Sequence, residues 1–147
     1  MRYRYIVDGL AAAYGLVPTG DDRVVLRPGA FRELFVDGGY PVPLWFRHKF
    51  PLPAGRGLLT ETPEGLAFAG SFELDLADIH HRRLAWHIDG CKGLSIHFTY
   101  ARRPPTRDGL EVADLATARE VSICPIGGDR RCMISSFHKI PIQEVRS

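Results

Sequence analysis

Gly93-Leu94-Ser95-Ile96-His97-Phe98-Thr99-Tyr100 is the stretch on which the fold turns. Apolar and polar residues alternate along it. Leu94, Ile96, Phe98 and Tyr100 fall on one side of an extended chain, and Ser95, His97 and Thr99 on the other. That alternation marks a strand with one buried face. Ser95 stands just past a glycine at the mouth of the strand. A small hydroxyl there is held on a rigid element, and backbone and substrate can approach it closely. Ser95 is therefore a candidate nucleophile, although a polar residue on the outer face of a half-buried strand has the same signature.

Upstream of this strand, Asp78 reads as the cap of a helix from Ile79 to Asp89, ended by Gly90. Leu84, Ala85 and Ile88 form its buried stripe. His80, His81 and His87 lie on the same helix, and His80 and His87 can share a face. Without a metalloprotease-type histidine motif they read as a solvated surface. Gly55 to Thr60 and Gly65 to Leu76 form a hairpin around the turn residues Glu61-Thr62-Pro63-Glu64-Gly65. Before it, Pro41-Val42-Pro43-Leu44-Trp45-Phe46-Arg47-His48 alternates so that Val42, Leu44, Phe46 and His48 share a face. Its prolines predict an edge or the start of a strand. A loop rich in proline and glycine (Pro51, Pro53, Gly55, Gly57) follows. His48, at the end of an apolar face, is either a core residue with one hydrogen-bond partner or a poised base.

Towards the N-terminus, Tyr3 to Gly15 reads as a first strand running into closely packed Ala11-Ala12-Ala13, and Pro18 to Asp22 as a turn. Arg23 to Leu26 is a short β-prone run. Phe31 to Phe35 is a short helix entered through Pro28 and stopped by Asp37-Gly38-Gly39. Downstream of Ser95, Arg102 to Gly109 is a polar hairpin loop from which Leu110 to Leu115 returns as a strand. Ala118 to Pro125 is another strand, with Val121 and Ile123 on one face and Glu120, Ser122 and Cys124 on the other. A glutamate is costly to bury alone, so Glu120 is either at the surface or paired. Gly127-Gly128-Asp129 is a turn, Cys132 to Ser136 a last strand, and Phe137-His138-Lys139 the start of an exposed tail.

The whole is a β-rich α+β domain over residues 1–147. It is expected to be a small closed or partly open β-barrel of short, mostly antiparallel strands with one or two packed helices. A formal charge of +2 is too small to argue for nucleic acid, and the pairs Arg82-Arg83, Arg102-Arg103 and Arg130-Arg131 read as solvated. No apolar run approaches membrane-spanning length, and the N-terminus lacks a signal-peptide core. Three cysteines, Cys91, Cys124 and Cys132, without a Cys-x-x-Cys pair fit a reducing cytoplasm better than a disulfide scaffold or structural zinc.

Pieces of the chain, taken in order, resemble the phage prohead (capsid maturation) serine protease family, which is related in fold to the herpesvirus assemblins. Ala13-Tyr14-Gly15 is similar to an early small-aromatic-glycine element, and Leu26-Arg27-Pro28-Gly29-Ala30-Phe31 to a "pGAF" segment. Val42 to His48 resembles the strand ending in the catalytic histidine, and Gly65 to Gly70 the hairpin arm after it. Gly93-Leu94-Ser95-Ile96 is similar to the "GLSIGF" nucleophile strand, and Arg119-Glu120-Val121-Ser122-Ile123 to the "EVSLV" strand that bears the third member. Lys49 and His97 stand where the family usually has a small acidic or polar residue and a glycine.

The resemblance implies a serine endopeptidase with Ser95 as nucleophile, His48 as base and then acid, and Glu120 orienting the imidazole. His97 is the alternative third member, because assemblins use a second histidine there. Arg130 or Arg131, or backbone amides near Gly93, are candidates for stabilising the oxyanion. No cofactor or metal is implied. The implied partners are the major capsid protein and the scaffold protein, cut within assembling phage proheads in the host cytoplasm. A homodimer is also implied, since related proteases are often dimeric when active. Two other classes stand beside this reading. One is a non-catalytic capsid-assembly or scaffold-binding module of the same fold, and the other a metal protein using His80, His87 and Cys91.

Overall fold

The computed structural model describes residues 1–19, 22–101, 109–126 and 128–143. The tip of the turn expected over Pro18 to Asp22, the loop expected over Arg102 to Asp108, and Gly127 of the expected glycine turn lie outside the described residues. The strands are β1 (Arg2–Ala13), β2 (Gly15–Thr19), β3 (Asp22–Leu26), β4 (Tyr40–Phe46), β5 (Phe50–Glu61), β6 (Gly65–Asp75), β7 (Gly93–Tyr100), β8 (Glu111–Ala113), β9 (Ala116–Cys124) and β10 (Ile134–Pro141), with helix α1 (Ile79–Ile88) before β7. Seven of them form one sheet in the order β10-β1-β6-β5-β4-β9-β7, and β2, β3 and β8 form a small second one.

The large sheet curls because one face of nearly every strand is apolar. Val7, Leu44, Leu59, Phe72, Leu94 and Ile123 are all fully buried and belong to a single hydrophobic cluster. Each such side chain contributes roughly 1.5–3 kcal/mol by leaving water. The curl brings the two outer strands together at one end. Gly93 bridges Met133, the Ile134 N–H donates to the Lys92 carbonyl at 2.9 Å, and the Leu94 N–H donates to the Cys132 carbonyl at 3.1 Å. Gly9 sits at this seam, where a Cβ would collide with the Met133 carbonyl. The result is a partly open barrel with β7 as the lip. Asp78 caps α1 by accepting from the backbone N–H groups of His80 (2.7 Å) and His81 (3.3 Å), which hold its carboxyl below the ordinary range.

Several expectations are corrected. Strands β1, β5 and β6 run for 12, 12 and 11 residues, so the barrel is not built of short strands alone. The stretch rich in proline and glycine after His48 is the first half of β5 and not a loop. The segment Phe137 to Lys139 is not a tail, because it pairs with Tyr5 to Val7 in the β10–β1 ladder. The helix expected over Phe31 to Phe35 is a single 3-10 turn, Arg32–Phe35. The return strand β8 does not fold back on β7. It joins β3 in parallel, and β9 is the antiparallel partner of β7. Of the two states its prolines allowed, β4 takes the second: they lie at the start of a strand that is not an edge. Pro41 and Pro43 pair with β5 on one side only, and β9 begins its parallel pairing at Leu44, beyond them. A missing proline N–H is harmless in that half of the strand.

Candidate active site

Strands β7 and β9 and the turn after β4 build the site. In the β7–β9 ladder Ser95 lies opposite Ser122, and His97 opposite Glu120. Opposite residues in an antiparallel ladder share a face, so all four side chains rise from the face away from Leu94 and Ile123. His48 is not a continuation of the β4 alternation, as its spacing predicted. The strand ends at Phe46, and Arg47 and His48 both take left-handed backbone conformations, with φ of 54° and 59°. Non-glycine residues in that region cost of order 1–3 kcal/mol each and persist only where surroundings hold them. Here the Arg47 N–H donates to the Ile123 carbonyl at 3.1 Å, the His48 N–H to Ser122 Oγ at 2.9 Å, and the Lys49 N–H to the Phe46 carbonyl at 3.2 Å. The turn swings the His48 ring over β9 and β7.

The ring then lies between the two other predicted residues. His48 Nδ1 contacts Glu120 Oε1, and His48 Nε2 lies 2.8 Å from Ser95 Oγ. A carboxylate can only accept, so Nδ1 carries the proton and donates. Nε2 of the neutral ring is then left to accept from the Ser95 hydroxyl. Glu120 has only 7% of its side-chain surface exposed, against 37% for His48. Its other oxygen, Oε2, accepts from Ser122 Oγ at 2.9 Å. Glu120 is thus buried and paired, one of the two states its position allowed. Ser122 itself is fully buried. One hydroxyl therefore orients the carboxylate and pins the histidine backbone. Sequence reasoning placed Ser122 on the Glu120 face but gave it no role. The alternation of β9 was the available signal.

His97 is exposed, and its ring lies edge-on to His48 with centroids 6.4 Å apart. No hydrogen bond among the described residues ties it to the relay. Arg131 is committed elsewhere. Its guanidinium binds both Asp129 oxygens, at 2.9 and 2.7 Å, and the carbonyls of Tyr14 and Leu16, at 2.9 and 2.7 Å. Burial pushes the Asp129 carboxyl up, but these bonds outweigh it and leave its pKa below the ordinary value. The guanidinium therefore anchors the loop after β9 to the β1–β2 corner. That loop brings Gly128 and Asp129 beside Ser95, around a cavity of about 100 Å³ whose wall also includes Ala11, Ala12 and Ala13. Cys132 lines it too, but burial pushes its thiol up to about 12, so it offers no thiolate. Arg130 lies on a neighbouring apolar surface with Lys92, Ile126 and Met133. Among the described residues no three His, Cys, Asp or Glu side chains gather as around a metal ion. His81 Nδ1 accepts from the Asp75 N–H at 2.9 Å, and Cys91 Sγ–H donates to the His87 carbonyl at 3.3 Å.

The sequence matches no protein-family model and no curated protein. Among solved structures the chain is similar to KSHV protease, crystallised in complex with a hexapeptide phosphonate inhibitor. The two share 16% sequence identity at a TM-score of 0.55, over 92% of this chain and 65% of that one. This chain therefore spans less than two thirds of that protease's length. At such identity the likeness concerns architecture alone, and it does not extend to the phage branch of the resemblance. The curled β-rich sheet, with one α-helix among the described residues, is an assemblin-like fold.

Proposed function

We propose that the protein is a serine endopeptidase of viral capsid maturation, of phage or prophage type. Its substrates would be scaffold protein or the scaffolding segment of a major capsid protein, with self-cleavage as a second activity. The observation that carries this reading is the relay from Ser95 Oγ through the His48 ring to buried Glu120. A serine hydroxyl is a weak nucleophile and needs a base within hydrogen-bond reach. Ser95 attacks the scissile carbonyl as His48 Nε2 takes its proton. The imidazolium so formed is stabilised by Glu120, and it returns the proton to the leaving amine. Water then repeats the cycle on the acyl-enzyme.

The developing oxyanion needs donors, and one such donor is commonly worth about 10²–10³ in rate. The Leu94 N–H points away from β9 to the Cys132 carbonyl, and alternation turns the Ile96 N–H to the same side of β7. That amide and the loop containing Gly128 are the donors in this reading, in place of Arg131. The small alanine-walled cavity at Ser95 favours a small side chain next to the cut bond.

A peptide phosphonate tests the nucleophile directly, by adding phosphorus to Ser95 Oγ with a mass shift that the Ser95→Ala variant lacks. Incubation with the neighbouring capsid or scaffold protein, read by intact mass, tests the substrate. Cleavage by wild type and not by Ser95→Ala supports the reading. Labelling of neither protein, with no cleavage, would leave a binding module of the same fold.

A further inference from the structure

The helix face carrying His80, Arg83, Leu84 and His87 plays no part in the Ser95 relay. Their spacing of three, four and seven residues stacks them on one side of α1. They face the β4–β5 turn and, with Phe46, Arg47, Phe50 and Pro51, line an open groove of about 560 Å³. The floor is apolar. Phe46 is 4% exposed with its ring 6.5 Å from that of His87, and Phe50 leaves 53% of its surface to solvent. The walls are cationic. The Arg47 guanidinium lies 5.4 Å over the Phe46 ring, and Arg83 is exposed. Neither guanidinium has an ion-pair partner among the described residues, and none of the residues lining the groove is acidic. Arg47, which lines the groove, is covalently next to His48.

Two unpaired guanidiniums over an apolar floor are matched by an occupant that brings carboxylates for the walls and apolar side chains for the floor. Nucleic acid fits less well. Its affinity comes from neutralising many phosphates, whereas this groove offers two fixed charges on a chain whose net charge is only +2. We propose that the groove binds an acidic segment of a polypeptide, and that this segment belongs to the protein cut at Ser95. The first clause stands without the protease reading, and the second rests on it.

The test uses a fluorescein-labelled octapeptide alternating glutamate with leucine, its glutamine counterpart, and the Ser95→Ala protein, so that nothing is cut. Fluorescence anisotropy should show the glutamate peptide binding about tenfold more tightly than the glutamine peptide, with the difference shrinking at high salt. Arg83→Glu should remove most of that preference, while Arg56→Glu, an equal charge change elsewhere on β5, should not. Equal binding of the two peptides, or a preference that survives Arg83→Glu, would overturn the groove. So would displacement of the glutamate peptide by oligo-dT at lower concentration than by unlabelled peptide. Cleavage assays with the native serine then separate the two clauses. Binding without cleavage removes the protease and keeps the groove. Cleavage equally fast for acidic and neutral substrates removes the link between them.

Discussion

The two halves of the seven-stranded sheet are built to opposite rules. In β10-β1-β6-β5 every pairing is antiparallel and the inward faces are filled by side chains such as Val7, Leu59, Phe68 and Phe72, so burial and stability coincide. In β4-β9-β7 one pairing is parallel, the turn that leaves β4 holds Arg47 and His48 at positive φ, and β9 is buried on both faces. Val121 and Ile123 occupy one face, Glu120 and Ser122 the other. A buried carboxylate destabilises unless fully bonded, and here each Glu120 oxygen has a partner. The difference teaches that the first half is a scaffold held by packing, and the second a polar arrangement that the packing has to support.

The comparison breaks most visibly at Glu120. Glu120→Gln should lower kcat by about 10⁴, as loss of the orienting carboxylate does in other triads, with little change in melting temperature. His97→Ala should stay within a few-fold of wild type. The reverse pattern, measured on a cleaved peptide, would move the third role to His97. Across the sheet, Phe72→Ala should cost about 3–5 kcal/mol of stability by cavity formation, read by denaturant unfolding, and leave kcat per folded molecule unchanged. A fall in kcat there would show that the halves are not separable. Ser122→Ala sharpens the contrast at smaller scale. It removes a bond to a charged group, worth about 1.5–3 kcal/mol. We expect about a tenfold drop in kcat at constant KM, and loss of the far-downfield Nδ1 proton resonance of His48. An unchanged resonance with lowered stability would make Ser122 merely structural.

Much of this was legible in the sequence, and for identifiable reasons. Period-two alternation exposed β7 and β9, and the Asp78–Gly90 punctuation bounded α1 within a residue. His48, Ser95 and Glu120 stood out because each ended or interrupted an apolar run, but their joint roles came from the resemblance to a known family and not from the pattern. The turn that brings His48 to the others was not legible, because neither Arg47 nor His48 is a residue that asks for a positive φ. Tertiary hydrogen bonds to Ile123 and Ser122 impose it. The first half of β5 was missed because its prolines and glycines read as loop, whereas Gly55 to Thr60 was read as a hairpin arm. Gly57 is there because the Phe68 ring of β6 lies where its Cβ atom would be, a packing demand between strands that local composition does not show.

The parallel pairing of β4 with β9 also has a meaning in time. His48 and Glu120 are 72 residues apart, and the backbone that aims the His48 ring is tied to Ile123. Contacts of such long separation are made late, since the intervening chain must first be ordered. A chain emerging from the ribosome therefore carries His48 and Ser95 for some time with no means of bringing them into register. On the proposed reading, a fragment ending short of Ile123 lacks the tie that aims His48 and should be inert whatever residues it holds upstream.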